Sequence, residues 1–210
     1  MQAQKFSDFD SFMDDVALNV LSVAPGMEEF CLDFRVIEDM EAVVLLSIDP
    51  REKVLEFDAV RADGLWANFK FPYDDLSSDE SRAYELYLQI GNMLYDFFCE
   101  EEENARVYGA KDVDTESRLK VVANINDLCE GIDEIAGNMC SFSYVKELDA
   151  YVYLLYLCDA KAMLAIAMNS DYQTASLGVR LKEQLAHTDP TMLGFKIVGE
   201  LEKGLNATEQ

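Results

Sequence analysis

The chain has 210 residues, 50% hydrophobic and 11% aromatic, and sets 41 Asp and Glu against 17 Lys and Arg for a net charge of −24. That apolar share excludes a disordered chain and suits one large domain or two small ones. The charge excludes direct binding of nucleic acid or of an anionic membrane, because the surface potential repels both while speeding encounter with basic proteins.

The charge is uneven. Residues 1–103 carry 25 acidic and 7 basic side chains, net −18, and residues 104–210 carry 16 and 10, net −6. At one charge per ~1.7 Å of duplex, 24 charges span roughly 41 Å of DNA, close to the roughly 43 Å diameter of a compact domain of this length. The charge density therefore permits a mimic of nucleic acid, and a merely solvated acidic surface explains it equally well.

In chain order, Ser7 caps a first helix whose Phe9, Phe12, Met13, Val16, Val20 and Leu21 recur at helical spacing until Pro25-Gly26. The period then changes to two. Phe30 to Val36, Leu55 to Ala59 and Leu65 to Phe71 alternate, Ala42 to Ile48 is a nearly continuous apolar run, and together they predict four antiparallel strands, with Asp49-Pro50 and Asp63-Gly64 as turns. Trp66, on the strand side of Asn68 and Lys70, either anchors an interface or is partly buried in the core.

Ser77 and Glu80 form a capping box for a long helix to about Cys99. Tyr84, Tyr87, Leu88, Gly91, Leu94, Tyr95 and Phe98 make one apolar stripe on it, and Leu86, Ile90, Met93 and Phe97 a second. A helix apolar on two faces is expected to be buried between the sheet and something else. Glu100 to Glu103 follow.

Residues 104–113 read as a linker and everything after them as helix. Asp114 opens a helix through Val121, Ile125, Leu128, Ile132 and Ile135 to Gly137-Asn138, and Tyr144 to Met168 is long and apolar. Ser170 or Asp171 opens a third helix to about Ala186, and Asp189-Pro190 opens the last. The fold expected is thus α+β: an N-terminal helix, a four-stranded antiparallel sheet and a long helix in an acidic unit at 1–103, then a bundle of about four helices at 114–210, the two sharing one core or not. No internal repeat stands out.

Little chemistry survives this reading. His187, the one histidine, rules out multi-histidine metal sites. Its pairing with Glu183 one turn earlier suits a surface helix end better than a catalytic base. Asp112, Asp114 and Glu116 alternate as in a calcium loop, but Ser117 and Ala123 stand where such a loop needs Gly and Glu. No Walker motif or dinucleotide fingerprint occurs. Cys31, Cys99, Cys129, Cys140 and Cys158 lie far apart and read as buried free thiols of a reducing cytoplasm. Four Asp within Phe6 to Asp15 stand where a signal peptide would be apolar. No cofactor and no metal are expected.

The expectation is a non-enzymatic, cytoplasmic, acidic binding protein that occludes a basic, for instance nucleic-acid-binding, surface of a partner, in the manner of a nucleic-acid-mimic inhibitor of a nuclease, a restriction or CRISPR effector, or a toxin. A chaperone or adaptor working through apolar surface is the alternative, an enzyme the second alternative, and a homo-oligomer stays open. The candidate partner-binding residues are Glu52, Glu56, Asp58 and Asp63 on the outward edge of the sheet, and Asp74, Asp75, Asp79 and Glu80 in the acidic loop and helix start.

Overall fold

The computed structural model describes residues 2–73, 76, 80–99, 117–129, 139–157, 162–180 and 190–207. The chain divides into two compact units, Gln4–Arg118 and Met1–Ala3 with Leu119–Gln210. The residues expected to form a linker, 104–113, lie outside the described residues.

In the N-terminal unit, β1 (Gln4–Phe6) leads into α1 (Phe9–Asp15), which continues as a π-helical turn at Val16–Leu21. Asp8, rather than Ser7, is the cap, its carboxylate accepting from the backbone N–H of Ser11 at 2.8 Å. Strands β2 (Cys31–Ile37), β3 (Ala42–Asp49), β4 (Val54–Val60) and β5 (Leu65–Pro72) follow as antiparallel hairpins, then α2 (Glu80–Cys99) and the short β6 (Ser117–Arg118). The sheet is not the four-stranded antiparallel one expected: β1 and β6 extend it to six strands in the order β1-β2-β3-β4-β5-β6, and it is mixed because β1 is parallel to β2. The alternation of each strand sends Val44, Leu46, Leu55, Phe57, Ala67 and Phe69 into one core with Phe12, Met13 and Val16 of the first helix and Leu86, Ile90 and Leu94 of α2. The opposite face is buried as well at Phe34, Val36, Val43, Leu45 and Val60.

The C-terminal unit is not a helical bundle. It comprises β7 (Lys120–Val122), α3 (Asn126–Cys129), β8 (Met139–Val145), β9 (Ala150–Leu157), β10 (Ala162–Asn169), β11 (Thr174–Arg180) and α4 (Pro190–Asn206). These strands form a second mixed sheet in the order β11-β10-β9-β8-β7, with β7 parallel to β8. The stretch expected as a long helix, Tyr144 to Met168, is three strands. Its strands bury side chains on both faces, Val152 beside Tyr153 and Ile166 beside Ala167. Such a strand reads as a continuous apolar run and loses its period of two. The stretch opened by Asp114 holds β6, β7 and α3, and that opened by Ser170 holds β11. Of the four helices expected here, the last corresponds to α4, with Pro190 at its first position.

The two units repeat one plan: a short strand, a helix, four antiparallel strands whose first pairs in parallel with the short strand, and a long helix. Core positions recur with a shift of 108 residues: Ile37, Ala42, Val44 and Leu46 as Val145, Ala150, Val152 and Leu154, then Leu55 and Ala59 as Met163 and Ala167, and Ala67 as Ala175. Glu41 and Asp149, which close the first hairpin of each unit, share a left-handed φ of 47°. In the long helices, Leu86, Ile90 and Leu94 recur as Leu193, Ile197 and Leu201.

One ionic cluster ties the N-terminal unit together. The buried Asp15 carboxylate accepts from Arg35 Nε at 3.0 Å, Gln4 Nε2 at 3.1 Å and Asn19 Nδ2 at 2.7 Å. It thereby joins β2, β1 and both parts of the first helix. Removing one partner of a buried pair strands the other charge, so Arg35→Met is expected to cost about 3–5 kcal/mol. Asp15→Asn/Arg35→Met, which strands no charge, should cost less than the single change, measured as urea-unfolding midpoints.

Candidate interaction surface

Glu56 and Asp58 sit two residues apart on β4 and so share a face, with Lys70 and Asn68 opposite them on β5. Asn68 Nδ2 donates to Glu56 Oε1 at 2.7 Å and to Asp58 Oδ1 at 3.0 Å, and Trp66 Nε1 donates to Asp58 Oδ1 at 3.0 Å. Lys70 Nζ stands 3.3 Å from Glu56 Oε1. Asp58 is only 3% exposed, and burial pushes its carboxyl from the ordinary 3.8 up to about 6, the hydrogen bonds from Asn68 and Trp66 opposing that rise. This pair is an internal network, turned toward β5 rather than presented to a partner. Trp66 is half-buried and joins that network through its indole N–H.

The other acidic residues expected to bind are scattered or undescribed. Glu52 is exposed in the turn before β4, and Asp63 is exposed in the turn after it, paired with Arg61 at 3.0 Å. A seven-residue strand, roughly 23 Å long, separates those turns. Asp74, Asp75 and Asp79 lie outside the described residues, as do Glu183, His187 and Asp112 to Glu116, and Glu80 is the first residue of α2. The thiols of Cys99 and Cys140, expected to be buried, are exposed. Among the described residues no group of Cys, His, Asp and Glu could hold a metal ion, and no helix is long and apolar enough to cross a membrane.

The surface that charge counting missed is on α2. Leu86, Ile90 and Phe97 of one stripe, and Leu94 of the other, are buried in the core with the sheet. That other stripe is open at three places, Tyr84 at 63% exposed, Leu88 at 41% and Tyr95 at 49%, while Tyr87 and Phe98 pack partly against the core. Tyr84 stacks on Tyr87 with ring centres 6.4 Å apart, and Tyr95 meets Phe9 of α1 edge-on at 5.4 Å. Among its residues of described burial, the exposed positions of this helix hold three charges, Arg82, Glu85 and Asp96, in a chain of net −24. Carboxylates nonetheless border it. The Tyr95 hydroxyl is held above its usual pKa first by its hydrogen bond with the Cys99 thiol and, further down, by the nearby negative charges of Asp10 and Asp39. In the C-terminal unit, α4 also leaves apolar residues exposed, Met192 and Phe195, and Phe195 holds the repeat position of Leu88.

Comparison with protein-family models, with characterised proteins and with solved structures finds no match to this chain.

Asp58 makes the β4–β5 network testable. Its folded pKa lies above its unfolded one, so the folded state holds the proton more tightly. The stability this contributes is present below about pH 4 and is lost as pH rises through about 6. The shift corresponds to roughly 3 kcal/mol. Asn at this position keeps an oxygen for Trp66 and Asn68 without the charge. Asp58→Asn is therefore expected to unfold at higher urea than the parent at pH 7.5, with the two converging near pH 4, followed through the fluorescence of Trp66, the one tryptophan.

Proposed function

We propose that this is a non-enzymatic acidic binding protein that captures a basic partner protein, with the open stripe of α2 as the contact and the surrounding carboxylates as the attracting field. The observation that carries this reading is the exposure of Tyr84, Leu88 and Tyr95 along one helix of a chain with net charge −24. Contiguous exposed apolar surface with a polar rim is characteristic of association sites, and tyrosine is enriched at their centres. The net charge selects basic partners, nucleic-acid-binding proteins among them, and speeds their arrival.

Occlusion of a basic surface remains the proposed outcome of binding. Its strict form, a carboxylate array spaced like phosphates along β4, has little support, because Asp58 is buried and Glu56 is occupied by Asn68 and Lys70. A contact that is apolar at its centre and electrostatic around it also joins the occluding and adaptor readings, which differ in what the captured partner can still do.

The test is affinity capture from the source cells, comparing the native chain with Tyr84→Ser/Leu88→Ser/Tyr95→Ser, followed by binding kinetics on what is retained. A basic protein held by the native chain and lost from the variant is expected. Raising salt from 50 to 500 mM should slow its association tenfold or more while changing dissociation much less. Retention of nothing basic, or equal retention by the variant, would contradict the proposal.

A further inference from the structure

Strands β5 and β11 hold the same place in the repeat, and the turns that lead into them bond alike. Arg61 N donates to Leu65 O and Gly64 N to Arg61 O, both at 2.9 Å; Asn169 N donates to Gln173 O and Tyr172 N to Asn169 O, both at 3.0 Å. The outer edge of each strand is begun by a short antiparallel segment at the same register, Leu65 facing Arg118 of β6 and Gln173 facing Gln2. Beyond that start the two edges differ. The bond from Asn169 to Gln173 marks Gln173, and with it Ala175, Leu177 and Val179, as the residues whose backbone faces β10. The alternate residues Ser176, Gly178 and Arg180 turn N–H and C=O away from it, and all three are exposed. Their counterparts on β5 are Asn68, Lys70 and Pro72. A lysine and a proline on an edge strand prevent a further strand from pairing there. β11 has neither, and Thr174–Arg180 contains no acidic residue. Among the described residues no strand covers this edge past Gln173.

From this contrast we infer that the edge of β11 pairs with the same edge of a second copy of this chain, antiparallel and symmetric about Gly178. In that register Gly178 faces its own counterpart, Ser176 faces Arg180, and Leu177 faces Val179. The three outward residues of each copy then form three hydrogen-bonded pairs, each exchanging two bonds, about six in all. The register begins just past the part of the edge that Gln2 covers. Charge chooses the occupant. A basic strand would set its Lys or Arg against Arg180, and an acidic strand would meet a chain of net −24. A second β11 brings no carboxylate, and its one charge stands opposite serine rather than its own likeness. Residues 104–210 carry net −6, so most of the repulsion between two copies originates in the other half of the chain, and salt screens such distant charge. The pairing is separate from the α2 contact and does not depend on the proposed function.

Sedimentation velocity of the full chain tests it. A monomer–dimer equilibrium is expected, tightening about tenfold or more between 50 and 500 mM salt. Gly178→Lys sets two like charges at the axis, and Gly178→Pro removes the central N–H. Each is expected to weaken the dimer about tenfold or more. The position admits a side chain, since a Cβ on Gly178 would meet Leu164 Cδ2 at an ordinary 3.6 Å. Leu88→Ser on α2 should leave the dimer unchanged. Gly178→Cys reads the register without reliance on either loss. Residues of a hydrogen-bonded pair stand about 5.5 Å apart at Cα, within disulfide reach. Mild oxidation should therefore join two chains through a 178–178 bridge, found by mass spectrometry of a non-reduced digest. A monomer at about 100 μM in 500 mM salt, a dimer that Gly178→Lys and Gly178→Pro both keep, or bridges formed only through the exposed Cys99 and Cys140 would overturn the inference.

Discussion

The N-terminal unit depends on one buried carboxylate. Asp15 ends α1 and is held by Arg35 of β2, Gln4 of β1 and Asn19 of the π-helical turn. An ionised pair at this depth persists because the carboxylate accepts three donors, which offsets its loss of water. The pair fixes the first helix against one end of the sheet. From there Met13 closes on Gly91, where an added Cβ would stand 3.1 Å from its Cε, and Phe9 reaches Tyr95 and Phe98. With α1 held in that position, α2 is packed against the first helix at Gly91, Tyr95 and Phe98 and leaves Tyr84, Leu88 and Tyr95 exposed.

The repeat shows which parts of the plan are general. In each unit, the short parallel strand sets its second strand's buried residue in the same register, Gln4 opposite Arg35 and Lys120 opposite Ser143. Ser143 thus holds the place of Arg35, fully buried and with its hydroxyl unpaired. The C-terminal unit has exchanged an ionic tie for a small side chain. It draws α3 and α4 together instead at Gly194, where any Cβ would fall 1.7 Å from Asn126 Oδ1. The cores are conserved in pattern between the halves while the ties between elements are not. Charge follows the same division, since most of the net −24 lies in the half that carries α2.

Legibility from sequence followed burial. Strands β2, β4 and β5 lie on the stretches predicted from alternation, where polar residues such as Glu56, Asp58, Asn68 and Lys70 take every second place, and β3 lies on a short apolar run ended by the turn signal Asp49-Pro50. Strands β9 and β10 carry no such interruptions, and their apolar run was read as helix. The repeat was hidden because corresponding core positions share size class rather than identity, as Phe57 and Ala165 illustrate. Counting carboxylates pointed to β4, where the local ladder satisfies the very groups singled out. The two-stripe pattern of α2 is visible in the residues, but an apolar position left exposed looks the same in sequence as one that is buried.

Under the proposed function, the exposed residues Tyr84, Leu88 and Tyr95 of α2 are the contact for another protein. A photocrosslinking amino acid placed at Leu88 tests it directly, with the same residue at Phe195 and at Glu52 as comparison sites. A discrete adduct with a basic protein from position 88, absent from 52, is expected. A ladder of unrelated adducts that is the same from all three positions, or no adduct from position 88, would contradict it.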